Sequence, residues 1–140
     1  MMDEKNRINI LILDPEQDTA ELFTRALETY SNGCKCYWVK TCQEARSLLS
    51  EISFSFLLAD LSILEQDHFL LLDTIREMPL GTRVIVDAYL NQKEDIVKSL
   101  KRGATGYFIK PVKVSALRKL IDDFSNNAQE EDLGKPVILR

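Results

Sequence analysis

The chain has 140 residues, of which 45% are hydrophobic and 29% charged, and its formal net charge is -4. These values are typical of one globular domain long enough to bury a core, and the negative charge disfavours direct nucleic-acid binding. No apolar run approaches the ~20 residues of a membrane span, and no apolar segment of signal-peptide type follows the N-terminus. We therefore expect a cytoplasmic protein without a membrane partner.

The cysteines bear on both compartment and metal binding. There are three, Cys34, Cys36 and Cys42, and an odd number without an export signal argues against a disulfide framework. Cys34 and Cys36 would share one face of a strand, but the sole histidine, His68, is distant in sequence and no second cysteine pair exists. Structural thiols are therefore favoured over a metal or redox site.

Apolar runs alternate with amphipathic segments along the whole chain. Strands are predicted at residues 8–13, 36–39, 54–59, 84–86 and 107–109. Five helices are predicted. The first covers 20–30, the second begins at a capping box formed by Thr41 and Glu44, and the third lies near 68–77 after a loop. The fourth begins at a cap formed by Asn91 and Glu94, and the fifth ends near Phe124. Gly103 stands where a helix C-cap glycine is expected.

The alternation of strands and helices predicts the fold class. Five strand–helix units indicate an α/β domain in three layers, with a five-stranded parallel sheet and helices on both faces. We assign residues 1–125 to this single domain and 126–140 to a polar C-terminal tail or the start of a linker.

Four predicted strands end in charged residues: Asp14, Asp60, Asp87 and Lys110. In a parallel sheet the carboxyl ends of the strands share one edge, which is where ligands bind. Three carboxylates in one cleft repel each other, so at least one should have a raised pKa unless a cation intervenes. Lys110 can be that cation, and a divalent metal could add to it. Convergence of the four groups favours a site over unrelated surface charges.

The segments NILILDPE, FLLADLSILEQDHFLLLDTIRE, VIVDAY and GATGYFIKP, in this order, carry a family resemblance. From about Ile8 to Phe124 the chain resembles the receiver domain of bacterial two-component response regulators. The resemblance implies a flavodoxin-like order of the sheet and a phosphoprotein of the phosphorelay rather than an enzyme. It implies that Asp60 accepts a phosphoryl group as an exposed strand-end carboxylate and that Lys110 pairs with that group. Tyr107 matches the aromatic residue whose orientation reports activation.

The resemblance also implies a magnesium site with one departure. Its ligands would be Asp14, Asp60 and the backbone carbonyl of Ser62. The family normally has a second acid after the first strand, whereas this chain has Pro15, which offers no side-chain oxygen. Glu16 could replace it only if the loop bends unusually. We expect weak Mg²⁺ binding or none, and hence slower phosphoryl transfer.

A second departure is Asp87, where the family usually has Thr or Ser. An ionised carboxylate cannot donate the hydrogen bond by which that hydroxyl contacts the phosphoryl group. Asp87 could instead pair with Lys110 at the switch position. The alternative is that Asp87 points into solvent with little effect.

Three functions remain open on the sequence. The first is a phosphoaccepting receiver domain with atypical or impaired switching. Its partners would be a sensor histidine kinase or phosphotransfer protein, and an output domain, another protein or a second copy bound through the fourth helix, fifth strand and fifth helix. The second is a pseudo-receiver that binds proteins without phosphorylation. The third, a flavodoxin-like cofactor enzyme, is disfavoured because the acidic loop after the first strand would repel phosphate.

Overall fold

The computed structural model of the protein describes residues 7–31, 33–79, 81–127 and 137–138. One parallel sheet organises these residues, in the strand order β2-β1-β3-β4-β5-β6. The strands are β1 (Ile8–Leu13), β2 (Cys34–Val39), β3 (Phe56–Asp60), β4 (Arg83–Ala88), β5 (Gly106–Ile109) and β6 (Val137–Ile138). The direction in which strands are added reverses at β1, so the carboxyl ends of β1 and β3 flank the topological switch point.

Helices cover the sheet, which confirms the predicted fold class. They are α1 (Gln17–Tyr30), α2 (Cys42–Glu51), α3 (Leu61–Gln66), α4 (Leu70–Glu77), α5 (Lys93–Lys101) and α6 (Val114–Asn127), with a 3₁₀ turn at Leu90–Gln92 before α5. None of the described helices is long and apolar enough to cross a membrane.

Alternation along the strands divides the core into two layers. In β1, Ile10 and Ile12 pack on one face of the sheet against α1 and α6, while Leu11 and Leu13 pack on the other face against α2. All four side chains are fully buried. Because successive strand residues point to opposite faces, a strand buried on both sides must be a continuous apolar run, as in NILIL.

Some local predictions were wrong. The sequence predicted a loop directly after the third strand, but α3 begins at Leu61, because the Asp60 side chain caps it by accepting from the Ile63 N–H. Asn91 does not cap α5. The chain instead forms the 3₁₀ turn, in which the Tyr89 N–H donates to Oε1 of Gln92 at 2.8 Å.

The expected polar tail also needs revision at two points. Helix α6 extends to Asn127, and Val137–Ile138 forms a sixth strand that pairs in parallel with β5. The rest of the predicted 126–140 segment lies outside the described residues. The sheet in the described part of the chain therefore has six strands, the last of two residues.

The stability of the α5 terminus can be tested at Gly103. Its φ of +114° is a backbone conformation that residues with a side chain rarely adopt. Space is not limiting, because an added Cβ would meet only Arg76 Cδ at 4.0 Å. We expect Gly103→Ala to lower the free energy of unfolding by about 1 to 2 kcal/mol through backbone strain. Urea unfolding measures the change. Gly81→Ala is the matched control, since nothing lies within 4 Å of its added Cβ. Equal losses in both variants would contradict this account.

Candidate functional site

Three carboxylates meet at the carboxyl edge of the sheet. Asp14 directly follows β1, Asp60 is the last residue of β3 and Asp87 lies near the end of β4. Asp60 and Asp87 are register partners on neighbouring strands, so their side chains leave the sheet side by side. One carboxylate oxygen from each of the three residues lies within 4.8 Å of the others. The edge therefore carries a compact acidic cluster.

The cluster is buried. Asp14, Asp60 and Asp87 are only 3%, 5% and 2% exposed. The expectation of an exposed carboxylate at Asp60 was therefore wrong, since α3 begins at the next residue and covers it. The alternative that Asp87 points into solvent was wrong as well. Like charges at this depth repel strongly because little water screens them.

Lys110 supplies positive charge to the cluster. It follows β5, and its Nζ donates to Asp60 Oδ2 at 2.5 Å and lies 3.8 Å from Asp87 Oδ2. Burial lowers the pKa of Lys110, but the hydrogen bond to Asp60 and the charge of Asp87 outweigh burial and raise it. The Lys110–Pro111 peptide bond is cis. The ammonium thus stays charged and faces two of the three carboxylates.

Asp14 is held by the backbone around it. Its Oδ1 accepts from the Glu16 N–H at 2.8 Å across Pro15, in an Asx turn that leads into α1. The Trp38 indole N–H donates to the Asp14 backbone carbonyl at 2.9 Å. Burial raises the pKa of Asp14, the Glu16 N–H opposes this, and the neighbouring Asp60 carboxylate adds to it. The Glu16 side chain is exposed.

Asp87 is the most perturbed member of the cluster. Its Oδ2 is buried and has no hydrogen-bond partner, since the 3.8 Å to Lys110 Nζ is an ion-pair contact only. Burial, with smaller contributions from the Asp60 and Asp14 carboxylates, raises the pKa of Asp87 to about 7, although Lys110 opposes the shift. The pKa values of Asp87 and Asp14 are therefore both raised, where the sequence predicted a raised pKa for at least one of the three acids.

The loop after β4 is tied to the helix after β3. Gln92 Nε2 donates to Ser62 Oγ at 3.2 Å, while its Oε1 accepts from the Tyr89 N–H. Lys110 Nζ lies 4.9 Å from the centre of the Tyr89 ring. The 3₁₀ turn and Tyr89 thus lie beside Lys110 and are linked to α3 next to Asp60.

Residues 10–122 match the sequence model of the response regulator receiver domain. The chain belongs to this family. It is 30% identical to an uncharacterized 14.6 kDa protein in the sodA1 3' region of Leptolyngbya boryana, over 84% of this chain and 90% of that protein. It is 32% identical to the nitrate/nitrite response regulator protein NarL of Escherichia coli K12, over 56% of this chain and only 37% of NarL.

Solved structures agree on the fold. The backbone matches a two-component response regulator from Clostridium difficile with a TM-score of 0.78 and 20% identity, over 89% of this chain and 100% of that one. The protein is thus a receiver domain of two-component signalling, and domains of this type typically bind Mg²⁺ through acidic residues. Carboxylate oxygens are the ligands that this hard cation prefers, so the buried acidic cluster fits it chemically.

The Ser62 backbone carbonyl is not directed as expected for a magnesium ligand. This residue lies in the first turn of α3, where helix geometry directs its carbonyl toward the helix C-terminus. Asp60 is at the opposite end, as the N-cap. The predicted backbone ligand is therefore turned away from the cluster. Its hydroxyl instead accepts from Gln92.

Tyr107 lies apart from the cluster, in β5. It is half-buried and lines a groove of about 830 Å³ between α5 and β5. The groove is mainly apolar, with lysines at its margins, and its lining includes Leu90, Lys93, Ile96, Val97, Leu100, Tyr107, Ile109, Lys110 and Lys113. Lys110 therefore contacts both the acidic cluster and the groove.

The thiols and the histidine stay outside the site. Cys34, Cys36 and Cys42 are free, and burial raises the pKa of Cys36 to about 12 and that of Cys42 to about 11. Among the described residues the acidic cluster is the sole group of three or more potential metal ligands. His68 is exposed, in the turn between α3 and α4. These observations favour unreactive structural thiols.

Sequence reasoning missed two contributors to the site. The Trp38 indole N–H fixes the Asp14 backbone, a role that the sequence does not predict. A hydrogen bond to a neighbouring strand end leaves no sequence signal beyond the pairing of β2 with β1. Gln92 also carried no signal, because its role depends on the 3₁₀ turn that the sequence did not predict.

The pKa of Asp87 predicts how stability depends on pH. Between about pH 4 and pH 7 the folded protein binds this proton more tightly than the unfolded chain, so the free energy of unfolding falls as pH rises. We expect a loss of about 3 kcal/mol between about pH 5 and pH 8, which Asp87→Asn should largely remove. Thermal and urea unfolding at both pH values measure it. Asp95→Asn on α5 is the control, and an equal pH dependence in Asp87→Asn and wild type would contradict the prediction.

Removal of Lys110 should also lower the free energy of unfolding, because the buried carboxylates lose their neighbouring positive charge. Lys110→Met leaves the carboxylates without this ammonium, and we expect a loss of about 3 kcal/mol in the free energy of unfolding at neutral pH. Adding Asp87→Asn should recover at least half of it, because one buried charge is removed. Lys98→Met, which breaks the exposed pair with Asp95, should change stability by less than about 1 kcal/mol. A double variant no more stable than Lys110→Met would refute the coupling.

Proposed function

We propose that Asp60 is the phosphoryl acceptor of this receiver domain. The observation that carries the proposal is the hydrogen bond from Lys110 Nζ to Asp60 Oδ2. It puts a fixed positive charge against one carboxylate in a cluster of three, at the point where a phosphoryl group would arrive. The other oxygen of Asp60 accepts from the Ile63 N–H. Preorganised donors of this kind stabilise charge that develops during transfer.

The reaction is a displacement at phosphorus. An Asp60 oxygen attacks, the bond from phosphorus to the donor group breaks, and the donor leaves with the electron pair. Lys110 moves from the carboxylate to an oxygen of the transferred phosphoryl group. Asp14 and Asp60 would hold a divalent cation, which would supply further positive charge against the negative charge of the group in transfer.

We infer that the switch after phosphorylation is atypical. Asp87 occupies the switch position, and in its ionised form its carboxylate accepts hydrogen bonds but cannot donate one to a phosphoryl oxygen. The following loop is already tied to α3 by the Gln92–Ser62 hydrogen bond. A ligand shifts a two-state equilibrium only through different interactions with the two states. Loss of the hydroxyl contact removes one such difference, so the conformational response of Tyr107 should be small.

The second candidate is a pseudo-receiver that binds proteins without phosphorylation. The observation that favours it is the burial of Asp60, whose side chain is 7% exposed with both oxygens engaged by donors. A phosphoryl donor must displace or bypass those contacts. In this case the domain keeps one conformation, and its function depends only on the proteins that its surface binds.

The partner assignments belong to the same proposal. A sensor histidine kinase or phosphotransfer protein would phosphorylate Asp60. An output domain, another protein or a second copy would bind the α5–β5–α6 face, which includes the apolar groove and is the surface expected from the sequence. Three free cysteines suit the cytoplasm, where thiols stay reduced.

The two candidates are separated by phosphorylation with a small donor. The protein is incubated with acetyl phosphate and Mg²⁺, and intact-mass spectrometry follows the addition of one phosphoryl group. We expect modification of the wild type and of the Asp95→Asn control, and none of Asp60→Asn. Modification that persists in Asp60→Asn would place the acceptor elsewhere. A wild type that stays unmodified, and whose fluorescence does not respond to beryllofluoride, would leave the pseudo-receiver.

A further inference from the structure

Compared with the family pattern, the acidic cluster of this chain lacks two oxygen ligands for a cation. Pro15 stands after Asp14 and has no side-chain oxygen. The Ser62 carbonyl lies in α3 and is directed away from Asp60 by the helix geometry. Glu16 is exposed, and its backbone N–H, not its carboxylate, contacts Asp14. Asp14 and Asp60 alone would hold a divalent cation weakly.

Asp87 offers the missing oxygen. Its Oδ2 is buried and has no hydrogen-bond partner, which is costly for a carboxylate oxygen unless another group engages it. The same side chain contributes to a cluster whose three carboxylate oxygens lie within 4.8 Å of one another. We propose that Asp87 is the third protein ligand of a divalent cation, together with Asp14 and Asp60, and replaces the acid that Pro15 removes.

The spacing of the carboxylates suits a small hard cation. Opposite oxygen ligands stand about 4 Å apart around Mg²⁺ and about 5 Å apart around Ca²⁺, because their bond lengths are about 2.1 and 2.4 Å. The three carboxylate oxygens, all within 4.8 Å of one another, are therefore close enough to ligate one hard divalent cation together. Asp14 Oδ1 is already fixed by the Glu16 N–H, which orients this carboxylate before a cation arrives.

Electrostatics favour the same assignment. Lys110 donates its short hydrogen bond to Asp60 and stands 3.8 Å from Asp87, so one ammonium serves three buried carboxylates. A divalent cation would neutralise the remaining negative charge. This inference concerns the pocket of the proposed function but does not require that Asp60 be phosphorylated.

Metal binding without any phosphoryl donor tests the proposal. The intact chain is titrated with Mn²⁺, with free Mn²⁺ followed by electron paramagnetic resonance, and with Mg²⁺, followed by the fluorescence of Trp38. Trp38 is the sole tryptophan, and its indole N–H contacts the Asp14 carbonyl, so it lies at the site. We expect Asp87→Thr to lower the affinity for both cations by about tenfold or more, through the loss of one ligand.

Two further variants make the outcome specific. Glu16→Gln removes the exposed acid two residues after Asp14 and should leave the affinity unchanged. Pro15→Asp in the Asp87→Thr background should restore binding, because it returns a carboxylate after β1. Circular dichroism checks that each variant is folded. Undiminished binding by Asp87→Thr, a loss in Glu16→Gln instead, or no binding by the wild type would overturn the proposal. A donor-dependent mass shift is measured separately, so failure of phosphorylation and failure of this ligand assignment are distinguishable.

Discussion

The structure of the site depends on the contact between one ammonium and a group of buried carboxylates. Lys110 donates to Asp60 and faces Asp87, while Asp14 completes the cluster. Burying three like charges beside a single opposite charge is unfavourable, and protonation of one carboxylate reduces this cost. The pKa of Asp87 rises to about 7, so this group titrates near neutrality. Protonation of Asp87 and the Lys110 ammonium therefore both reduce the net negative charge of the cluster.

The fold imposes this arrangement. Two apolar layers bury the sheet on both faces, so the strands cannot slip without exposing their side chains. Parallel register places Asp60 and Asp87 side by side, and the switch point at β1 brings Asp14 to the same edge. The site is built on rigid strand ends, which keeps repelling groups close together. The energy that the core contributes is thus what permits a strained charge cluster.

The sequence predicted the strands and the charged residues at their ends, because fully buried strands are continuous apolar runs that stop where a polar residue appears. It did not predict α3, since a single strand-end aspartate, Asp60, serves as both site residue and helix cap. Without α3, the sequence could not predict the burial of Asp60 or the direction of the Ser62 carbonyl. Contacts such as Gln92 with Ser62 join residues far apart in the chain, and they depend on the packing of two loops.

The two departures from the family pattern, judged separately, each weaken the site. Considered together they conserve its charge. A second acid after β1 would give three carboxylates with Asp14 and Asp60, and this chain also has three, because Asp87 adds at β4 what Pro15 removes at β1. Cation binding depends on the number and reach of oxygens more than on which strand supplies them. The switch proposed for position 87 depends on a hydrogen-bond donor there, which an ionised carboxylate is not. On the proposed assignments, the same substitution supplies an oxygen ligand to the pocket and removes the hydroxyl that would link the pocket to the surface.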